Sequence, residues 1–283
     1  MKNSTVNIFS VDVEDWYQVT NYARSIPFET WGRYTSRLLD NTLRLLDLMG
    51  QYDVKGTFFI LGWNAERFPD VVRAIDRGGH EIGTHGYHHR LIYEQTPEEL
   101  RAMLKRSIRV LENLIGRPVI THRASDFSIT RHCLWAFEVL CDMGIRYDSS
   151  VFPIRRVRYG IVDAPRFPYR IALRDGRGLI EVPLSTYRVM GQNLPIAGGG
   201  YLRLLPYRLT HRAIERLNRE KYPAVLYIHP WEIDPDQPMP DGVPFKSLFA
   251  HRLNLSTTYQ KLDVLMRDFR FAPMSRVVEE RLS

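Results

Sequence analysis

Only two of the 283 residues are cysteine, and Cys133 and Cys141 stand eight apart within a helical pattern. They have neither C-x-x-C spacing nor an extracellular context, so both read as buried thiols rather than a disulfide or a metal pair. No apolar run approaches the roughly 18 residues that a membrane-crossing helix needs. The opening Met1-Lys2-Asn3-Ser4-Thr5 leads straight into Val6–Val11, too short an apolar run for the core of a secretion signal. A cytoplasmic protein is expected, with no integral membrane segment and with docking at the inner membrane face left open. Gly198-Gly199-Gly200-Tyr201 lacks the lysine of a phosphate-binding loop. Internal repeats, low-complexity tracts and linker-like stretches are also missing, so one domain over residues 1–283 is expected.

Charge of one sign is not concentrated either. The 39 basic and 32 acidic residues leave a formal net charge of +7, and the basic ones are dispersed apart from Arg155-Arg156-Val157-Arg158. No nucleic-acid-binding motif accompanies them, so nucleic acid is not an expected partner, whereas an acidic polymer substrate is compatible.

What the chain does have is alternation. Strand patterns at 6–11, 54–61, 81–84, 119–122, 179–184 and 224–228 are separated by helical ones. Helices are expected over 36–49, with Leu38, Leu39, Leu43, Leu46 and Met49 as the apolar face, and over 64–77, 96–115, 130–143, 207–219 and 257–267. Thr96-Pro97-Glu98-Glu99 has the cap, the proline and the acids of a helix start. Residues 153–178 read as irregular with room for a hairpin, and 234–244, with four prolines, as a loop. Such alternation implies a parallel sheet of about seven βα units, an α/β fold closing as a distorted (β/α)7-type barrel.

Polar residues recur at the ends of these strands. Asp12-Val13-Glu14-Asp15 crowds three carboxylates into four positions, which is costly unless a cation or an arginine neutralises them. His85 and His89 are four apart; on one helical turn their imidazoles would share a face and form half of a zinc-type site, which then wants a carboxylate and an open position. Arg123, Asp148 and His229 end three further strands. Each alone has an ordinary reading, as a surface histidine cluster or a solvated acidic loop. Their recurrence at successive strand ends, where α/β enzymes place their chemistry, points to a site.

The set resembles the polysaccharide deacetylases of carbohydrate esterase family four, which carry a NodB-homology domain. Ser10-Val11-Asp12-Val13-Glu14-Asp15 matches the first motif, His85-Gly86-Tyr87-His88-His89 the second, Arg123-Ala124-Ser125-Asp126-Phe127 imperfectly the third, Asp148 the fourth and Leu226-Tyr227-Ile228-His229 the fifth. This covers about 6–232. Asp-Val-Glu-Asp-Trp, Tyr-Asp-Ser-Ser-Val-Phe-Pro, Gly-Gly-Gly-Tyr-Leu-Arg-Leu, His-Pro-Trp-Glu-Ile-Asp-Pro and Asp-Phe-Arg-Phe-Ala-Pro-Met are similar to a deacetylase subfamily found with exosortase-type exopolysaccharide clusters, which extends the likeness into the segment 233–283.

The resemblance implies removal of N-acetyl groups from N-acetylhexosamine units of an oligo- or polysaccharide, or of its precursor. Asp12 would be the general base, aimed by Arg123. His229 would be the general acid, with Asp148 orienting it. His85, His89 and either Glu14 or Asp15 would hold a divalent metal, usually zinc; an extended strand would favour Glu14, which shares the face of Asp12. Such a cation polarises the acetyl carbonyl, a carboxylate takes a proton from water, and a cationic histidine gives one to the nitrogen, with a backbone N–H near Asp126 facing the oxyanion. Trp16, Trp63, Tyr201 and Trp231 could stack on sugar faces.

Ser125-Asp126 departs from the subfamily's Pro-Ser and adds an acid near the presumed oxyanion position. That implies weakened activity, an altered substrate or an Asp126 that faces outward. Hydrolysis of a cyclic imide or ureide, and a carbohydrate-binding homologue without turnover, are the competing readings.

Overall fold

The structure is a computed structural model that describes residues 5–282. The opening segment 1–4, on which the reading of the N-terminus partly rests, lies outside them. Strands β1 (Val6–Val13), β2 (Thr57–Ile60), β3 (Glu81–Thr84), β4 (Thr121–His122) and β5 (Tyr147–Asp148) run parallel in sequence order. Beyond β5 the order departs from sequence: β6 (Tyr169–Ala172) is the outer, antiparallel arm of a hairpin, and β7 (Gly178–Glu181) pairs with β5. A separate hairpin, β8 (Thr186–Val189) and β9 (Gln192–Pro195), follows. β10 (Val225–Ile228) pairs with the far side of β1, and β11 (Arg270–Ala272) lies beside the start of β1, below β2.

The barrel closes without a regular seventh strand, which is the distortion. Ser185 and Val225 exchange contacts, with Val225 N donating to Ser185 Oγ at 2.7 Å. Tyr227 N donates to Ala197 O (2.7 Å), and Gly199 N to Tyr227 O (3.0 Å). Gly198 is required for this closure: at φ 123° a side-chain carbon would sit 1.9 Å from Tyr227 O.

Among the described residues ten α-helices surround the sheet: α1 (Leu38–Gln51), α2 (Gly62–Arg67), α3 (Pro69–Arg77), α4 (Pro97–Ile115), α5 (Ala136–Asp142), α6 (Gly200–Leu204), α7 (Tyr207–Arg219), α8 (Phe245–Arg252), α9 (Leu255–Asp268) and α10 (Met274–Leu282). The expected helix over 64–77 breaks at Phe68, because the residue before Pro69 is pushed out of the helical region. The expected face of α1 is rotated: Leu39 and Leu43 are 37% and 40% exposed, and the buried stripe is Leu38, Asn41, Thr42, Leu45, Leu48 and Met49. Asn41 belongs inside because its Nδ2 donates to the buried Asp234 (3.1 Å). Glu99 and Thr96 cap α4 reciprocally, as the sequence pattern predicts.

Alternate residues of β1 face opposite ways. Phe9, Val11 and Val13 join the layer between sheet and helices, with Leu45, Leu48 and Ile75. Ile8, Ser10 and Asp12 face the barrel interior, where Phe59, Phe127, Phe152 and Tyr227 fill the middle. Helix α10 stoppers the N-terminal end of the barrel with Met274, Val277 and Val278. Met274 N donates to Thr57 Oγ1 (2.8 Å). Residues beyond 232 therefore complete the barrel floor. The floor being filled, the strand C-terminal ends form the mouth. Among the described residues no helix is long and apolar enough to cross a membrane.

Candidate active site

Arg123 is the largest fully buried side chain and spans the barrel interior just past β4. Its Nη1 donates to Asp12 Oδ1 (2.7 Å) and Ser10 Oγ (2.8 Å), its Nη2 to Ser149 Oγ (2.9 Å) and its Nε to Ser149 O (3.1 Å). The guanidinium carbon lies 4.3 Å from the centre of the Phe59 ring. One oxygen of Asp12 is thus fixed by a planar cation that itself has no freedom.

Directly after β1 the chain bends, with Glu14 N donating to Asp12 O (2.9 Å). Glu14 therefore folds back over the strand end instead of continuing an extended alternation. Its Oε1 lies 3.0 Å from His85 Nε2, 2.9 Å from His89 Nε2 and 3.9 Å from His229 Nε2. His85 follows β3. His89 is reached through a loop with Gly86 at φ 75° and His89 itself at φ 52°. The four-residue spacing works through this bend and not through a helical turn.

The proton count at this cluster is informative. His85 Nδ1 lies 2.8 Å from Arg123 O, and a carbonyl only accepts, so Nδ1 carries the hydrogen. In neutral His85 the lone pair of Nε2 then points at a carboxylate oxygen 3.0 Å away. Two acceptors at that distance repel unless a proton or a metal cation lies between them. Glu14, His85 and His89 are all buried, and their ligand atoms lie within 4.8 Å of one another. Two imidazole nitrogens and one carboxylate fit a catalytic zinc donor set. Burial alone would raise the Glu14 carboxyl, but the charges of His89 and His229 and the imidazole hydrogen bonds hold it well below the ordinary range.

Two sequence expectations are corrected by the geometry. Asp15 does not join the cluster. Its Oδ1 accepts from Trp16 N (2.9 Å), and both oxygens accept from Arg37 N (3.3 and 3.2 Å). It ties the loop after β1 to the start of α1, and burial pushes it up to about 6. Asp148 does not touch His229. It accepts from Ser150 Oγ (2.8 Å) and pairs with His122 Nδ1 (2.6 Å), below the site.

The partner of His229 is Glu232, to which no role attaches in the sequence reading. His229 Nδ1 lies 2.7 Å from Glu232 Oε1, and the other oxygen of Glu232 accepts from Arg203 Nε (2.7 Å). The signal was present: in His229-Pro230-Trp231-Glu232 a proline opens a helical turn and an acid three residues on reaches back. Burial pulls the imidazole down, but the charge of Glu14 and the bond and charge of Glu232 outweigh it, and His229 rises to about 9.

A pocket of about 180 Å³ opens over these groups, with Glu14, Asp126, Phe127, Tyr159, Tyr227 and His229 in its wall. Asp126 faces it. Asp126 and Phe127 are both held at positive φ (51° and 53°), an unusual pair for non-glycine residues. Arg158 Nη1 is 3.7 Å from Asp126 Oδ2 and offsets part of its charge. Of the aromatic candidates, Trp231 lines the pocket and stacks between His229 and His251. Trp16 is buried against Tyr17 and Tyr34. Trp63 lines a different concavity with Phe28 and Tyr87. Tyr201 borders the pocket through Tyr159, hydroxyl to hydroxyl at 3.1 Å.

Residues 34–140 match the family model described as polysaccharide deacetylase, and residues 149–279 match a domain of unknown function, DUF3473. A peptidoglycan deacetylase of Helicobacter pylori is 30% identical over 160 residues, 51% of this chain and 52% of that protein. A peptidoglycan-N-acetylglucosamine deacetylase of Bacillus cereus is 40% identical over 78 residues, 28% of each chain. The chain thus spans about half, or less, of the length of these curated relatives. Among solved structures, a protein of Mycobacterium smegmatis described as a putative polysaccharide deacetylase covers 99% of this chain and is itself covered to 90%, at 24% identity and a TM-score of 0.65. The PuuE allantoinase shares the fold at 17% identity and a TM-score of 0.59, over 96% of this chain and 88% of its own.

Proposed function

The chain belongs to the polysaccharide deacetylases, and on that premise we propose that it hydrolyses the N-acetyl groups of N-acetylhexosamine units, in a polysaccharide or its precursor made for export as an exopolysaccharide. The observation that carries the reading is the meeting of Glu14, His85 and His89 beside two separately held proton carriers, Asp12 on Arg123 and His229 on Glu232.

Glu14, His85 and His89 would hold a divalent metal, zinc by the donor set, which when bound would supply Lewis acidity toward the acetyl carbonyl. The remaining work falls to the chain. Arg123 engages Oδ1 of Asp12, so Oδ2 is the atom that takes a proton from the attacking water. His229 has Nδ1 engaged by Glu232 and Nε2 turned toward Glu14, so Nε2 delivers the proton to the departing nitrogen. The bond and charge of Glu232 favour the cationic imidazole, the form that an acid for an amine leaving group needs. In the turn at 125–127 Phe127 N is committed to Ala124 O, which leaves the N–H of Asp126, a residue of the pocket wall, to face the developing oxyanion.

The fold itself does not choose the amide, since an allantoinase shares it. The N-acetyl reading draws on the curated relatives, two of which are named for N-acetylglucosamine or peptidoglycan deacetylation. The test is acetate release from an N-acetylglucosamine oligomer, against ring opening of allantoin, by the zinc-loaded protein and by His85→Ala. Acetate release by the wild type alone is expected. Allantoin turnover without acetate release would move the assignment to cyclic amides.

A further inference from the structure

The 155–159 segment is shared between the pocket above and a second, larger concavity. Arg158 and Tyr159 line the active-site pocket, whereas Arg155 and Arg156 line a groove of about 930 Å³ beside it. Tyr201 joins the two: its hydroxyl meets that of Tyr159 and accepts from Arg156 Nε (3.0 Å). Across the groove stand Arg166, after the loop, and Arg188, on β8.

None of these four arginines pairs with a carboxylate among the described residues, and all four line one concavity. The single carboxylate lining the groove, Asp163, is engaged by Arg131. Arg166 is turned inward on Thr186, with Nε to Oγ1 at 3.0 Å and Nη2 to the carbonyl at 2.6 Å. Burial and the nearby charge of Arg188 both lower its basicity. Glu220 offsets part of this at Arg166, but it is itself paired with Arg216, so like charges gathered in the concavity repel one another and an anion that fills the space relieves that repulsion. The walls between them are apolar and ring-sized: Phe167 is held flat on Tyr222 (3.5 Å between ring centres), and Leu194 is exposed. A small inorganic anion would leave most of this space unused, whereas a sugar ring bearing a carboxylate uses the arginines and the walls together.

We propose that this groove is a subsite for acidic sugars, so that the polymer deacetylated at the neighbouring pocket carries carboxylates a short distance along the chain from the reacting N-acetylhexosamine. The inference rests on the deacetylase reading, and it names the substrate class of that same site.

The test uses the zinc-loaded full chain with hyaluronan hexasaccharide, in which N-acetylglucosamine alternates with glucuronate, and with the same oligosaccharide after reduction of its carboxyls. Acetate release and calorimetric binding are measured on the wild type and on Arg155→Ala/Arg188→Ala. The wild type should favour the acidic oligosaccharide by roughly tenfold in kcat/KM, carried by KM, and lose most of that advantage when salt rises to about 500 mM. The double variant should lose the advantage and keep the wild-type rate on the reduced oligosaccharide. Equal rates on both oligosaccharides, or a preference that survives in the variant, would overturn the proposal. A preference for UDP-N-acetylglucosamine over both, lost in the variant, would overturn the acidic sugar in favour of a diphosphate. Absence of acetate release from every substrate would count against the deacetylase reading, while the binding difference between the oligosaccharides would still decide the groove.

Discussion

Asp12 and Glu14 at the end of β1, and Asp148 and Glu181 at the ends of β5 and β7, are equally buried. Their surroundings differ. Asp12 meets a guanidinium, Glu14 meets the imidazole nitrogens of His85 and His89, and Glu14 opens onto a pocket. Asp148 faces Glu181 and His122, and neither carboxylate is in the wall of the pocket over the site. Burial pushes Glu181 well up, and the charge of Asp148 adds to it. Burial would raise Asp148 too, but His122 and Ser150 hold it down. The two carboxyls are thus pushed apart, Glu181 toward its protonated form and Asp148 toward its ionised form beside His122. Burial at a strand end does not by itself mark catalysis. What distinguishes the upper pair is partners that leave room for a cation and a substrate; in the lower pair Asp148 is engaged by His122 and Ser150, and Glu181 accepts from Val151 N.

The contrast can be broken by exchanging one oxygen in each pair. Asp12→Asn should cost roughly 10³-fold in kcat, the worth of a general base, with zinc content unchanged. Asp148→Asn should lower stability by about 2–4 kcal/mol in denaturant unfolding, because it leaves a buried His122 without its carboxylate. The kcat of its folded fraction should stay within about threefold of wild type. A large kcat loss in Asp148→Asn at unchanged stability would restore the role that the sequence motif suggested for it.

A smaller effect sharpens the account of His229. Its elevation to about 9 comes from Glu14 and Glu232 against burial. When Glu14 is engaged by a cation, Glu232 is the contribution that persists. An imidazole acid is active below its pKa, so kcat should fall as pH rises through it. In Glu232→Gln that alkaline limb should move down by about one pH unit, with the acid limb in place. An unmoved alkaline limb would mean that His229 is not the group titrating there.

The chemistry at the barrel mouth was more legible than the scaffold around it. Asp12, His85, Arg123 and His229 each follow or end an apolar strand, and parallel strands bring their ends together whatever the intervening helices do. Partner choice was less legible. Asp148 and Glu232 both lie near strand ends in sequence, and the cue that favours Glu232 is a local one, the turn opened by Pro230 that carries it back to His229. Glu14 was favoured over Asp15 for an extended strand that in fact ends at Val13. The tight bend, which no apolar pattern encodes, delivers Glu14 to the histidines and turns Asp15 to the α1 start. On α1, three leucines pulled the expected face around the helix, while Asn41 was drawn inside by Asp234, almost two hundred residues away. The β8–β9 hairpin, with β8 half-exposed and β9 largely so, has little apolar alternation to show it.

Under the proposed function Glu14, and not its neighbour Asp15, completes the metal site with His85 and His89. Metal content of purified Glu14→Gln and Asp15→Asn, after equal exposure to zinc and removal of excess, tests it most directly. The account predicts one equivalent in the wild type and in Asp15→Asn, and a loss of bound zinc in Glu14→Gln. Stoichiometric zinc in Glu14→Gln, or its loss in a folded Asp15→Asn, would contradict it.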